Sequence, residues 1–323
     1  MISISLDTMG GENAPRAALE AALLASRDKG LHLILCGPKE RLEPVIPVEL
    51  VKEGRISFED VSETIEMDEP PVLSVKKKPG ASLVKAIELL KAGTANAAVG
   101  AGNTGSMVFA AINTLGRLPG VSRPGLLGIL PGKDGPVALM DVGANVDTRP
   151  KHLKQFASLG RVFWECYTDK KPAKVGLLNI GEEEGKGNRL AKEAWWLIKR
   201  SSIPFVGNVE GHEILLNKAD VVICDGFVGN VLLKALEGMG ELFLKEKTSP
   251  KCVFGGSLSW EEQGGAVLMG VDGIVVVCHG RSSGKALHCA ITFAKELVQK
   301  DIMNCIKTAL KDGEEGCQKE ESL

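Results

Sequence analysis

The sequence predicts an α/β protein with a mostly parallel sheet and helices on both faces. Two observations carry this. Short apolar runs alternate with segments whose apolar residues recur at helical spacing, which is the pattern of βαβ units. The chain also holds 38 glycines in 323 residues, well above the usual ~7%. They lack collagen spacing and fall in the turns between those runs, where backbone must approach something closely. In order, Ile2–Leu6 reads as a strand, Ala14–Arg27 as a helix and Leu31–Cys36 as a strand ended by Gly37-Pro38. Ala81–Lys91 is helical, Ala95–Val99 extended and Gly105–Leu115 helical. Val137–Met140 is a strand that stops at Asp141, and His152–Glu165 is a helix. Val175–Leu178 with Asn188–Lys199, Val221–Cys224 with Asn230–Leu244, and Ile274–Cys278 with Gly284–Lys300 repeat the strand–helix alternation.

No Pro/Gly/Ser-rich linker interrupts this alternation, so residues 1–310 are expected to form a single domain with subdomain lobes, followed by a polar C-terminal tail over 311–323. Glu246–Gln263, with Pro250, Gly255, Gly256 and Trp260, is the least regular stretch. The hydrophobic set is 44%, charged residues are 25% and the formal net charge is −2. These values argue against a disordered chain and against a protein that coats nucleic acid. No run approaches the roughly 18 apolar residues of a membrane span. Met1 leads directly into a strand pattern, so no secretory leader is expected. None of the eight cysteines forms a Cys-x-x-Cys pair, and free thiols in a reducing cytosol are expected.

Ligands of open parallel sheets bind beyond the carboxyl ends of the strands. The segments there repeat one chemistry. They are Asp7–Gly11, Gly100–Gly105, Asp141–Asp147, Asn179–Asn188, Gly207–Gly211, Asp225–Asn230 and His279–Gly284. Each alone is compatible with an ordinary turn. Together they offer backbone N–H groups at helix starts, neutral asparagine donors and the charge of Lys186, which is what an anion site requires.

Several familiar motifs fail on spacing. Gly100-x-Gly102-x-x-Gly105 lies between a strand and a helix, but Ser106–Lys133 holds no carboxylate for a ribose. Gly181–Lys186 and Gly280–Lys285 are each one residue short of a P-loop, and neither lysine precedes Ser or Thr. Gly280-Arg281-Ser282-Ser283-Gly284 fits a nucleophile elbow, but too little chain follows to supply the acid and histidine; a serine-capped helix start is the plainer reading. His212-Glu213 lacks the second histidine of a zincin. His32 and His152 have no ligand-like neighbours in sequence and are read as surface or core residues. Glu182–Glu184 is read as a solvated run rather than a cation site, and Trp195-Trp196 as part of an amphipathic helix. From residues alone the chain is an enzyme that holds a small phosphate or carboxylate in a Gly/Asn-lined cleft. No side chain declares itself a covalent nucleophile, so catalysis by positioning and oxyanion stabilisation follows.

The same loops resemble a known family. Asp7-Thr8-Met9-Gly10-Gly11, Gly102-Asn103-Thr104-Gly105, Asp141-Val142-Gly143-Ala144-Asn145-Val146-Asp147, Gly176–Glu183, Lys186-Gly187-Asn188, Phe205–Gly211, Cys224–Asn230 and His279-Gly280 look like the bacterial phosphate acyltransferase of phospholipid synthesis, in order from about residue 2 to residue 300. The resemblance implies a Rossmann-like three-layer α/β/α sandwich related to isocitrate and isopropylmalate dehydrogenases. It implies transfer of a long-chain acyl group from acyl-acyl-carrier-protein to inorganic phosphate, without a covalent acyl-enzyme. It implies a cytoplasmic homodimer with peripheral membrane contact, feeding acyl phosphate to a membrane glycerol-3-phosphate acyltransferase. Nucleic acid is not an expected partner, and no cofactor or metal is called for.

The family's catalytic lysine and asparagine fall on Lys186 and Asn230. Phosphate or acyl-phosphate contacts are expected from Gly10, Gly11, Gly102, Asn103, Thr104, Gly105, Asn145, Asn188 and His279. Asp7 and Asp225 are expected to fix loops or cap helices. Three departures stand out: Thr8 and Glu12 where the family usually has Ala and Asp, Arg281 after His279-Gly280, and a short Met239–Gln263 where an amphipathic hairpin should follow Gly238. The last predicts weaker membrane association. A nicotinamide-dependent hydroxy-acid dehydrogenase on a related fold and a non-catalytic lipid-regulatory binding protein are the alternatives.

Overall fold

The computed structural model describes residues 1–245 and 264–320. Most of the segment Met239–Gln263, from residue 246 on, and residues 321–323 lie outside the described residues. The chain divides into two compact units, Met1–Gly116 with Trp260–Gln299, and Arg117–Ser259 with Lys300–Leu323.

The first unit begins with β1 (Ile2–Asp7), α1 (Arg16–Ala25), β2 (Leu31–Gly37), α2 (Lys39–Leu42), α3 (Val48–Lys52), β3 (Ile56–Asp60), α4 (Pro71–Lys77), α5 (Ser82–Lys91), β4 (Ala97–Gly100) and α6 (Thr104–Leu115). The second holds β5 (Gly125–Leu130), β6 (Val137–Met140), α7 (Pro150–Thr168), β7 (Val175–Asn179), α8 (Arg189–Lys199), β8 (Phe205–Glu210), α9 (Gly211–Ile214), β9 (Val221–Ile223) and α10 (Gly226–Lys245). The chain then returns to the first unit for β10 (Ala266–Met269), β11 (Ile274–Val277) and α11 (Gly284–Gln299), and closes in the second with α12 (Ile302–Glu320).

Strands of the first unit follow the order β3-β2-β1-β4-β11-β10, all parallel except β10, which runs against β11. Those of the second follow β5-β6-β9-β7-β8, with only β5 antiparallel to its neighbour. The inner strands are apolar along their whole length because both faces are covered: every residue of β4, β6, β9 and β11 is buried. Alanines 17, 18, 21, 22 and 25 form the buried face of α1, and these small side chains allow the close approach of α11. In the second unit α7 packs on β9 and against α8 and α12. Trp195 is buried in α8 whereas Trp196 is 49% exposed, as an amphipathic helix requires.

The differences from expectation have local causes. The stretch read as one domain with lobes takes the form of two units. The polar stretch from residue 311 continues α12 as far as Glu320. Strands β3, β5, β8 and β10 join the predicted set, and Gly207–Glu210, read as lying beyond a strand end, is part of β8; β5 is interrupted by Gly128, which weakens its strand signature. Cys166 and Cys305 form a disulfide between α7 and α12, Cα to Cα 6.3 Å, rather than two free thiols. A pair 139 residues apart leaves no spacing motif to read. Among the described residues no helix is long and apolar enough to cross a membrane.

Candidate active site

In the first unit, the loops after β1, β4 and β11 interlock through glycine. Asp7 ends β1, and its Oδ1 accepts the Met9 N–H at 3.1 Å. Its Oδ2 is buried without a hydrogen bond, and burial pushes its pKa above the ordinary carboxylate value. A Cβ on Gly10 would lie 2.4 Å from that oxygen and 2.7 Å from Gly102 Cα. Gly11 has φ +96°, and a Cβ there would meet Gly280 O at 2.8 Å. The Glu12 N–H donates to the same carbonyl at 2.7 Å. Asn103 caps α6: its Oδ1 accepts from Ser106 N–H at 3.0 Å, and its Nδ2 donates to Met67 O at 3.0 Å and Glu69 O at 2.9 Å. The Asn103 amide therefore ties the β4–α6 turn to the segment before α4. Thr104 opens α6, and Gly105 passes Pro71 so closely that a Cβ would sit at 2.6 Å. His279 Nδ1 accepts from the Arg281 N–H at 3.4 Å. Ser283 caps α11 by accepting from Ala286 N–H at 3.2 Å, and Ser282 is buried, so the Gly280–Gly284 run is a helix start.

In the second unit, β6, β9, β7 and β8 run parallel, so their carboxyl ends share one edge. Asp141 is fully buried there. Its Oδ1 accepts from the N–H groups of Leu126, Gly143 and Ala144 at 2.9–3.0 Å, and its Oδ2 accepts from the N–H and side-chain amide of Asn145 at 2.8 Å. Burial still pushes its pKa up, against the pull of these donors. Asn145 also donates to Pro124 O at 2.7 Å. Asp225 caps α10 by accepting from Phe227 and Val228 N–H at 3.0 and 2.9 Å. Gly226 N–H donates to Asn145 O at 2.8 Å, and Asn230 Nδ2 donates to Val142 O at 3.1 Å. The β6–α7 and β9–α10 loops are thus one hydrogen-bonded body. Gly229 is obligatory within it, because a Cβ would approach Asp141 O to 1.9 Å.

The β7–α8 loop carries Lys186. Asn179 pins it: Oδ1 accepts from Ile180 N–H at 2.9 Å and Nδ2 donates to Lys186 O at 3.1 Å. Gly187 turns beside Asn179 at φ +93°, and Asn188 caps α8 through Ala191 N–H at 2.9 Å. Asn208 on β8 donates to Glu183 O at 2.8 Å, and Lys218 pairs with Glu182 and Glu213. The Lys186 ammonium lies 3.8 Å from Glu183, both ends more than half exposed, so its charge remains available to a ligand. The exposed Glu182–Glu184 run is solvated, with Glu182 paired to Lys218 and Glu183 near Lys186. Among the described residues no group of three His, Cys, Asp or Glu is placed to hold a metal ion.

Two histidines were read alike from sequence, and the structure separates them. His32 bonds the hydroxyls of Ser3 and Ser57 across neighbouring strands. His152 instead lines a cavity of about 420 Å³ at the start of α7, together with Arg123, Asp147, Thr148 and Arg149. The available signal was its position: Thr148-Arg149-Pro150-Lys151-His152 directly follows the Asp141–Asp147 loop, and proline at a first helical position marks a helix start.

Three thiols near the strand ends are not poised for attack. Cys36, Cys224 and Cys278 are buried, and desolvation raises all three, Cys278 to about 12. Thiols that remain protonated are poor nucleophiles. Iodoacetamide added to the folded protein is therefore expected to leave these three unmodified over hours, read by peptide mass spectrometry. Rapid labelling of Cys224 would instead reveal a reactive thiol at the end of β9.

Comparison with known proteins closes the description. Residues 2–248 and 255–305 match the model of a family described as Fatty acid synthesis protein. The chain is 40% identical to a phosphate acyltransferase of Desulforamulus reducens, over 97% of this chain and 98% of the relative. It is 38% identical to a phosphate acyltransferase of Thermodesulfovibrio yellowstonii, over 100% and 98%. Among solved structures, a branched-chain phosphotransacylase from Enterococcus faecalis shares the fold with TM-score 0.63 at 17% identity, covering 92% of this chain and 99% of that one. A 4-hydroxythreonine-4-phosphate dehydrogenase from Klebsiella pneumoniae does so with TM-score 0.57 at 10% identity, covering 92% and 99%.

Proposed function

The chain belongs to the fatty acid synthesis protein family, that of the phosphate acyltransferases, and from this premise we propose that it moves a long-chain acyl group from acyl-acyl-carrier-protein to inorganic phosphate. The observation that carries the reading is the chemistry of the carboxyl edge in the second unit. It offers a donor and a cation, Asn230 and Lys186, without an activated nucleophile, while the amide hydrogens of Asn145, also expected to contact phosphate, are held by Pro124 O and Asp141. Such a set suits a substrate that is itself the nucleophile.

In the reaction a hydrogen phosphate oxygen attacks the thioester carbon. The new C–O bond forms as the C–S bond breaks, and the carrier leaves as thiolate, which takes up the proton given by hydrogen phosphate. Lys186 lowers the repulsion between the phosphate dianion and the developing oxyanion. Asn230, held beside Gly143 by its bond to Val142 O, donates to the thioester oxygen, and this gains most when charge develops in the transition state. Asn145 and Asp225 keep that donor in place. No cofactor enters the scheme. Within the first unit Gly10, Gly11, Gly102, Thr104, Gly105 and His279 are further proposed phosphate or acyl-phosphate contacts, on loops that Asn103 helps to hold, and within the second unit Asn188 is another.

A second copy of the chain is the proposed partner of α10. Phe227, Val228, Val231, Met239 and Leu242 are exposed along this helix, an apolar stripe of the kind that subunits cover. The proposed setting is the cytoplasmic face of a membrane, where acyl phosphate passes to a glycerol-3-phosphate acyltransferase.

The test uses purified protein and long-chain acyl-acyl-carrier-protein, with and without inorganic phosphate. Release of carrier thiol should require phosphate, and hydroxylamine should trap the acyl phosphate as a hydroxamate. Thiol release without phosphate would show a thioesterase and overturn the reading.

A further inference from the structure

We propose that the cavity at the start of α7 is a hydrogen-phosphate subsite, in which Arg123, Arg149, Thr148 and His152 bind the oxyanion and Asp147 accepts a hydrogen bond from its P–OH group. This deepens the acyltransferase reading and rests on it for the identity of the anion.

Four observations on this one site support the assignment. The cavity measures about 420 Å³ and is lined by those five residues, ample room for a phosphate ion. It opens at the N-terminal end of a helix of 19 residues, where the positive end of the helix dipole favours anions. Among the described residues neither guanidinium is held in an ion pair. One polar group is buried there without a partner. Thr148 Oγ1 has no hydrogen bond, and buried hydroxyls rarely stay unpaired.

His152 beside it is 7% exposed. Its Nδ1 accepts the Arg149 N–H at 3.1 Å, so the ring proton resides on Nε2, which has no partner among the described residues. Burial and the charges of Arg123, Lys151 and Arg149 pull the His152 pKa down, so the ring is a neutral donor near pH 7. Two guanidinium groups, a hydroxyl and an imidazole N–H make a donor set suited to a tetrahedral oxyanion.

Asp147 sets the selectivity. A carboxylate repels a fully deprotonated anion such as sulfate. It accepts a hydrogen bond from hydrogen phosphate, which keeps at least one proton near neutrality. One acceptor among several donors therefore distinguishes two ions of the same shape, because the wrong ion leaves that acceptor facing like charge.

The variants are Arg149→Gln, Thr148→Val and Asp147→Asn. The bond from Arg149 to His152 is made by backbone, so Arg149→Gln retains it. Thr148→Val is nearly isosteric and guards against a folding artefact, with far-UV dichroism and melting temperature as controls. Arg149→Gln should raise the KM for phosphate ~10- to 100-fold, the loss of a charge-assisted bond, and leave the KM for the acyl carrier unchanged. Thr148→Val should raise it several-fold. Asp147→Asn should make sulfate at least ~10-fold more competitive with phosphate. An unchanged phosphate KM in folded Arg149→Gln and Thr148→Val overturns the subsite, and an unchanged sulfate-to-phosphate ratio in Asp147→Asn overturns its selectivity. Titration of inorganic phosphate by calorimetry, wild type against Arg149→Gln, separates the two readings. Phosphate bound and weakened by the variant in a protein without phosphate-dependent thiol release keeps the subsite and removes the acyl transfer. Thiol release with unchanged phosphate affinity does the reverse.

Discussion

Lys186→Ala should lower phosphate-dependent turnover by about 100- to 1,000-fold, the usual effect of deleting one electrostatic contact to the transition state, while the melting temperature stays within a degree or two. Both halves follow from the same geometry. The loop is built by main-chain and asparagine contacts, Asn179 to Lys186 O and Asn208 to Glu183 O, none of which uses the lysine side chain. Among the described residues the ammonium pairs with Glu183 at 3.8 Å, an exposed pair of the sort that adds little to stability. Lys186→Arg should recover part of the rate, since charge is kept and its placement changed. Near-normal turnover in Lys186→Ala, measured by hydroxamate formation at saturating phosphate, would remove this residue from the chemistry.

Asp141→Ala is expected to have the opposite profile, a loss of about 3–5 kcal/mol in unfolding free energy, as when one partner of a buried polar network is removed. The carboxylate accepts five hydrogen bonds from four residues. Its removal strands buried N–H groups and frees the Asn145 side chain, and through Gly226 and Asn230 both loops loosen together. Asp141→Asn should fall between, because one oxygen becomes a donor facing other donors. Urea unfolding of the three proteins would show this order. Equal midpoints for wild type and Asp141→Ala would mean that packing, not this network, holds the edge.

Strands were legible where both faces are buried, because an uninterrupted apolar run such as Ile274–Val277 has few other readings. Helix starts were legible from their caps, and Asp225 and Asn188 act as caps. Asn103 was read for its donors, and these point inward, to the carbonyls of Met67 and Glu69. Spacing cannot reveal this, since those partners lie 36 and 34 residues away. The placing of His152 beside Arg123 was not legible for the related reason that the two are near in space but not in the chain. The Cys166–Cys305 bond is the extreme case.

An abundance of glycine usually suggests slack. In the second unit it has the reverse effect, because Gly226 and Gly229 admit backbone against backbone where no side chain would fit. Two strand-end loops become a single stiff body before any substrate arrives. The ordering cost of the site is therefore met once, when the chain folds, rather than in every catalytic cycle. In the proposed transfer this leaves the loop pair little to rearrange around the substrate.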